Sequence, residues 1–427
     1  MQLHIRVPTL IFLLSTLAAS NASSQTAPAP TPPAEPTPPA APAPVTAGWR
    51  DGFVIQSDKG DFRLQIGALV HADGRFAAGD DAEAVTDTFV IRRLRPYIRG
   101  RFAQRFEFYV NPDFAGGTLV VQDAYVDTVF SPAFRIRAGK AKTPFGLERL
   151  HSASNLLFFE RALPTALVPN RDVGIQVLGD VSGGLVSYLA GVVNGVTDGS
   201  SGDVDASDSK DVAGRILIRP FTKNAESPLR GLSLGLAGTR GRQTGAAALP
   251  SYRTVSLQQP FFSYSGAVAD GVRTRFSPQL SYYYKSFGGL AEYVHSELPV
   301  RKAAVVGDIG HDSWQIAASW VITGEAATDA AAGVRPRANF DFGAGHLGAF
   351  QIAARYHALK IDGRAFDLNL AAAGASREAE AWTVGLNWYL TPNFRYVVNF
   401  ERTVFDSDAE GARRPENAVV FRTQVNF

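Results

Sequence analysis

From Phe62 to the last residue, apolar and polar side chains alternate with a period of two, in segments of about ten residues. Turns rich in Gly, Asp, Pro and Asn separate the segments. In FRLQIGALVHA, Phe62, Leu64, Ile66, Ala68 and Val70 alternate with Arg63, Gln65, Gly67, Leu69 and His71. In GVRTRFSPQLSYYY, Val272, Thr274, Phe276, Pro278, Leu280 and Tyr282 alternate with Arg273, Arg275, Ser277, Gln279 and Ser281. WTVGLNWYL and VVFRTQVNF follow the same rule near the end. Successive side chains of an extended chain point to opposite faces, so this period predicts strands with one apolar and one polar face. Sixteen such segments begin near residues 62, 89, 105, 119, 134, 173, 185, 212, 229, 271, 287, 312, 347, 381, 394 and 417.

The connections between them alternate in length. Short ones fall at 103–105, 131–133, 284–288 and 391–393. Long, polar ones are AGDDAEAVTD, DGSSGDVDASDSKD, the stretch 240–270 and FDSDAEGARRPEN. Short turns at one end and long loops at the other are the pattern of an up-and-down membrane barrel. The 379 positions from 49 to 427 allow about 24 residues per strand with its connection, enough for spanning strands of about ten. The expected fold is therefore all-β, a sixteen-stranded antiparallel transmembrane β-barrel. A soluble sandwich or propeller would turn the polar face to solvent instead. One segment, 324–346, is long where a short turn is expected, and the pattern offers no reason for it.

The first residues, MQLHIRVPTLIFLLSTLAASNASSQ, place one arginine before an apolar run and small residues after it. That run is shorter than the roughly 20 residues of a spanning helix, so residues 1–24 are expected to be a cleaved export signal. Residues 25–48 hold a Pro/Ala tract with nine prolines, a composition that cannot build a ladder and favours an extended periplasmic linker. Residues 49–427 are the expected barrel. The chain ends on Phe427, on the same face as Val419, Phe421, Thr423 and Val425. An aromatic terminus on an alternating strand resembles the signal that the outer-membrane barrel assembly machinery reads. Export, alternation and this terminus together place the barrel in the lipid bilayer of a Gram-negative outer membrane.

The stretch IRRLRPYIRGRF then acquires a direction. Arg93, Arg95, Tyr97, Arg99 and Arg101 share one face; Arg92, Leu94, Pro96, Ile98, Gly100 and Phe102 share the other. An arginine facing lipid near the midplane costs about 2–4 kcal/mol, so the arginine face is expected to look into the lumen. Arg92 is left on the lipid face, near the strand end, where its long stem reaches the headgroups. Arg135 with Arg137, Arg215 with Arg219, Arg273 with Arg275, Arg355 with His357, and Arg422 repeat the facing. Acidic lumen candidates are Glu107, Asp113, Asp123, Asp127, Glu292 and Glu401. The first reading is a path for small anions, since fixed guanidinium groups replace an anion's hydration. The second is a closed structural or adhesive barrel in which the same charges merely pair across the wall.

The connection at 142–172 is too apolar for a solvated loop, because LLFF at 156–159 needs a packing partner. Folded into the lumen as the third long loop, it would narrow the pore and offer Lys142, Arg149, His151, Arg161 and Arg171 to the passage. Glu148 and Glu160 are the carboxylates that would compete for those cations.

The segments RRLRPYIRG, GKAKTPFGLERL, LLFFERALP, SPQLSYYYKSFGGLAEY, WVITGE, AARYHAL and VGLNWYLTPNFRYVVNFE, in this order, resemble the phosphate-selective porin O and P family of bacterial outer membranes. The resemblance runs from about Phe53 to Phe427. It implies a homotrimer of sixteen-stranded barrels, each with its third loop folded inward and arginines along the path. It also implies phosphate- or polyphosphate-like solutes. Family members concentrate lysines at the constriction; with 34 arginines to 8 lysines here, Lys142 is the position that matches.

Other classes find little support. Formal charge is +2, and the arginines lie on an inward face, so nucleic acid is not an expected partner. No cysteine exists to build a thiolate site or nucleophile. H-E-x-x-H and the G-x-x-x-x-G-K-[ST] phosphate loop are absent, and His71 beside Asp73 on one strand is a poor catalytic pair. No catalytic residue, cofactor or metal is expected.

Overall fold

The computed structural model describes residues 45–78, 85–203, 208–406 and 413–427. The expected export signal, most of the Pro/Ala tract and parts of three polar loops lie outside the described residues. An N-terminal hairpin pairs β1 (Val45–Trp49) with β2 (Phe53–Ser57); β1 starts within the stretch expected as linker.

Sixteen strands follow in the barrel wall. The first eight are β3 (Arg63–Ala77), β4 (Thr88–Phe102), β5 (Phe106–Asp113), β6 (Val120–Ser131), β7 (Phe134–Lys142), β8 (Arg171–Val181), β9 (Val186–Val193) and β10 (Asp211–Ile218). Then comes β11 (Leu232–Gly245). Between it and the next wall strand, a two-stranded hairpin, β12 (Ser251–Arg253) and β13 (Pro260–Ser263), forms inside one loop. The wall continues with β14 (Val268–Tyr284), β15 (Phe287–Lys302), β16 (Val305–Val321), β17 (Ala349–Lys360), β18 (Glu378–Thr391), β19 (Phe394–Asp406) and β20 (Glu416–Asn426). Each wall strand pairs antiparallel with its sequence neighbour, and β20 pairs with β3 to close the ring. Closure satisfies every wall strand without a free edge, which lipid requires. Fifteen wall strands start within three residues of their expected segments; β16 starts at Val305, seven residues before the expected 312.

The two faces are inverted relative to a soluble protein. Ile98, Leu236, Ile316 and Val384 are exposed on the outside, whereas Gln65, Arg93, Ser313, Asn387 and Arg422 are buried within. Outward aromatics form two tiers. Trp314, Tyr356, Trp382 and Phe400 pair across strands in the upper tier, with ring centroids 5.2 Å (Trp314–Tyr356) and 5.3 Å (Trp382–Phe400) apart. Phe287 with Trp320, Phe350 with Trp388, and Tyr396 with Phe421 form the lower one. Trp314 and Trp320, like Trp382 and Trp388, are six positions apart, or about 20 Å along the strand, so the two tiers bracket an apolar stretch of the outer wall.

One expectation about side-chain direction is overturned. Arg92 does not face lipid. The β3–β4 register breaks between His71 and Ala72, so that His71 opposes Arg93 and Ala72 opposes Ile91. Arg92 is the extra residue of this bulge and turns inward, where its Nε donates to Glu160 at 2.6 Å. A bulge lets two neighbours share a face that strict alternation forbids.

The third long loop, 143–170, lies against lumen-facing side chains. Arg395 donates to the carbonyl of Leu156, Asn387 to that of Leu157, Arg355 to that of Glu160, and Asn399 accepts from the amide of Phe159. Its Phe145, Phe159, Leu163 and Leu167 are buried together with Val294, Leu298 and Leu359 of the wall and with Tyr252, Phe261 and Phe262 of the β12–β13 hairpin. The polar wall thus supplies hydrogen bonds to the loop backbone, while the loop's own apolar residues make a core inside the barrel.

The 322–348 connection lies on the short-turn rim and also folds inward. Val334 and Ala327 pack against Val321, Ala349 and Tyr389. The carbonyls of Thr328, Ala330 and Ala331 accept from Asn155 and Ser154 of the third loop at 2.9, 2.7 and 2.8 Å. The unexplained length of this segment is what it takes to meet the third loop inside the barrel.

Candidate functional site

A cavity of about 1060 Å³ opens inside the barrel between the β3–β7 wall, the third loop at Leu150–Ser154 and the inward turn at Asp329–Arg335. Nine arginines and Lys142 line it, against five side-chain carboxylates, Asp51, Glu107, Asp123, Asp127 and Asp329, and the last residue, Phe427. Fixed positive charge therefore exceeds negative charge on its walls.

Of the arginines expected on the path, Arg95, Arg99, Arg101, Arg135, Arg137 and Arg215 line this cavity. Arg93, Arg219, Arg273 and Arg275 do not. Arg93 is buried with one nitrogen 2.8 Å from Glu160 and another 3.0 Å from His71. Arg219 bonds the carbonyl of Gly184 and the hydroxyl of Ser187. Arg273 and Arg275 are buried under two loops, where Arg275 Nε meets Asp198 at 2.7 Å and Arg273 approaches the carbonyls of Val196 and Ala248. From the loop group, Lys142, His151 and Arg171 reach the cavity, whereas Arg149 and Arg161 are held by backbone carbonyls of Thr165, Glu148 and His151.

Pairing sorts the cavity cations further. Arg95 is bonded to Asp113, Arg101 and Arg135 share Glu107, Arg137 grips Asp127 through two bonds of 2.7 and 2.8 Å, and Arg171 holds Asp123. Among the described residues, no carboxylate lies within 4.0 Å of the charged groups of Arg63, Arg99 or Arg215. Arg99 and Arg63 reach the amide oxygen of Gln65, and Arg215 that of Gln279. Lys142 donates to the carbonyls of Leu150 and His151. Neutral partners orient these cations and leave their charge uncompensated. Arg63 and Arg335 were not singled out by the sequence; Arg63 sat on the polar face of its strand, but nothing marked Arg335, which belongs to the anomalous turn.

The third loop is tied to the wall by charge. Glu160 meets Arg92, Arg93 and, at 3.6 Å, Arg422, which also grips Asp73 through two bonds. Burial alone would raise the pKa of Glu160, but Arg92, Arg93 and Arg422 outweigh it and hold the carboxyl well below its ordinary range. His151 is pushed down to about 3, first by burial and then by Lys142, Arg161 and Arg215, so its ring adds no charge at neutral pH. Among the described residues, no group of three or more His, Asp or Glu side chains is placed to hold a metal ion.

A closed sixteen-stranded antiparallel barrel with an apolar exterior, a charged lumen and a loop folded into it defines an outer-membrane porin. The family model for phosphate-selective porin O and P matches residues 64–427, and the chain belongs to that family. Among solved structures it is similar to the anion-selective porin from Comamonas acidovorans, at 11% identity and a TM-score of 0.56, covering 86% of this chain and 100% of that one. It is also similar to OmpT of Vibrio cholerae (11%, TM-score 0.53, covering 88% and 100%). OmpF of Salmonella typhi, in a complex with daunomycin, matches at 10% and a TM-score of 0.53, covering 90% and 100%. At these identities the likeness is one of fold. No curated protein sequence matches the chain. Membership places the protein in a bacterial outer membrane, and the family and fold are those of channels.

Proposed function

We propose that the barrel gives passive passage to small anions, phosphate- or polyphosphate-like solutes among them, through the arginine-lined lumen. One observation carries the reading: the cavity walls hold ten cationic side chains to five side-chain carboxylates, with Arg63, Arg99 and Arg215 on neutral partners. Fixed cations in a low-dielectric passage raise the local concentration of anions and replace part of their hydration. Arg95, Arg101, Arg135, Arg137 and Arg171 act mainly with their carboxylates, stiffening the wall. A likeness to a porin described as anion-selective supports the sign of the preference. Export by a cleaved signal, a periplasmic linker before the barrel, assembly through the strand ending in Phe427 and a homotrimeric state complete the proposal; one of the similar OmpT structures is described as a trimer form.

Planar-bilayer recording tests it. In a potassium chloride gradient the reversal potential should lie on the chloride side, and millimolar phosphate or pyrophosphate should reduce the chloride current. Steps without anion preference would refute the path. No steps at all would instead identify a closed structural barrel.

A further inference from the structure

We infer that the lumen also carries a seat for aromatic anions, in which an aryl ring lies along a strip of three tyrosines while its acid group meets the neighbouring guanidinium groups. This rests on the anion path proposed above and adds the class of solute that the path favours.

Three adjacent strands present one tyrosine each to the cavity: Tyr97 on β4, Tyr109 on β5 and Tyr125 on β6. Tyr109 and Tyr125 are direct register partners, and Tyr109 is also opposite Arg99. Ring centroids are 5.8 Å apart for Tyr97–Tyr109 and 5.7 Å for Tyr109–Tyr125, both tilted by 49°. None of the three is fully buried, so the strip is open to the cavity along its length. Arg99 Cζ is 5.6 Å from the Tyr97 ring centroid, and the guanidinium of Arg137 stacks on one face of Tyr125, its Cζ 3.8 Å from the centroid, which leaves Tyr97, Tyr109 and the other face of Tyr125 for a guest ring. The Tyr97 hydroxyl donates to the carbonyl of Phe427 at 2.9 Å, which pins that ring.

A wall that served inorganic ions alone has no use for so much apolar ring surface. Other inward positions are either small or amide-bearing, as at Ser313, Gln315 and Ser319 on β16 and Asn387 on β18, or are covered by inward segments, as Val294, Leu298 and Tyr389 are. Aromatic surface facing water inside a passage is stabilised when another ring covers it, and tilted or offset rings 4.5–7 Å apart are the geometry such contacts prefer. Arg99 has no carboxylate within 4.0 Å among the described residues, so its charge is available to the guest's acid group. Ring surface beside an available guanidinium selects an aryl phosphate or aryl carboxylate over the bare anion.

The test compares phenyl phosphate with inorganic phosphate as blockers of the chloride current through purified protein in planar bilayers. Half-block by phenyl phosphate is expected at about a tenfold lower concentration. In a Tyr109→Ser/Tyr125→Ser variant, the ratio of the two half-block concentrations should fall to within about twofold, and Tyr109→Phe/Tyr125→Phe should keep it high. Reading a ratio within each variant cancels any change in conductance, and heat-modifiable electrophoretic mobility shows that each barrel is folded. Equal block by the two phosphates in the unaltered protein overturns the inference, as does a preference that survives the serine pair. Should the serine pair not fold, the comparison in the unaltered protein decides. If chloride preference is present but aryl preference is not, only this inference fails. If the reversal potential shows no anion preference, the anion path fails and takes the inference with it.

Discussion

Arg99 and Arg101 stand two positions apart on β4, yet only Arg101 is bonded to a carboxylate, Glu107, which Arg135 also approaches at 3.6 Å. An arginine on an amide partner keeps its charge for a solute; one on a carboxylate spends most of it locally. Replacing Arg99 and Arg215 by Ser should therefore lower the chloride preference clearly, and Arg101→Ser should lower it less; equal shifts in reversal potential would contradict this division. Glu160 belongs to the opposite class, because its charge is wholly committed to Arg92, Arg93 and Arg422. Glu160→Gln should cost about 3–5 kcal/mol, since it strands buried guanidinium groups. The measurable result is a third loop that admits protease and a noisier open-channel current. The pH dependence follows from the depressed pKa of this carboxyl. Its contribution is complete above the unfolded value of about 4.3 and is lost only as pH falls through the lower folded value. Open-channel noise should stay constant from neutrality down to about pH 4.5 and rise in stronger acid; a rise already near pH 6 would exclude Glu160 as the cause.

At the level of elements, two departures from regularity shape the lumen. The bulge at His71–Ala72 brings Arg92 and Arg93 to one side, so that both meet Glu160. The inward turn at 322–348 supplies Ala331, Ala332 and Arg335 to the cavity wall and is fastened to the third loop through Asn155. Replacing 326–346 by a two-residue turn should raise single-channel conductance and weaken protection of Asn155 from solvent in hydrogen exchange. Unchanged conductance would show that the turn lies beside the path instead of across it.

For the molecule as a whole, closure joins the two ends of the wall. Phe427 exchanges backbone hydrogen bonds with Ala68, and its ring lies 5.3 Å from that of Trp49. Phe427→Ala should lower the yield of heat-modifiable, folded barrel in outer membranes while leaving the conductance of the barrels that do form unchanged; normal yield would remove this residue from assembly. The sixteen strands, their order and, except at the bulge that turns Arg92 inward, their facing were legible along the chain, because a lipid outside and water inside impose a period of two on every spanning segment. Arg273 and Arg275 show where that legibility ends: their face was readable, but the loop carboxylate Asp198 that covers them was not. Period and turn chemistry are local, so the barrel, the polar lumen and an apolar loop in need of cover could be read along the chain. Which arginines are paired was settled by the folded chain, because many of their partners are remote: Arg93 and Glu160 are 67 positions apart, Arg275 and Asp198 are 77 apart, and Arg422 and Asp73 are 349 apart. Electrostatic pairing depends on distance in space, and no alternation pattern encodes it.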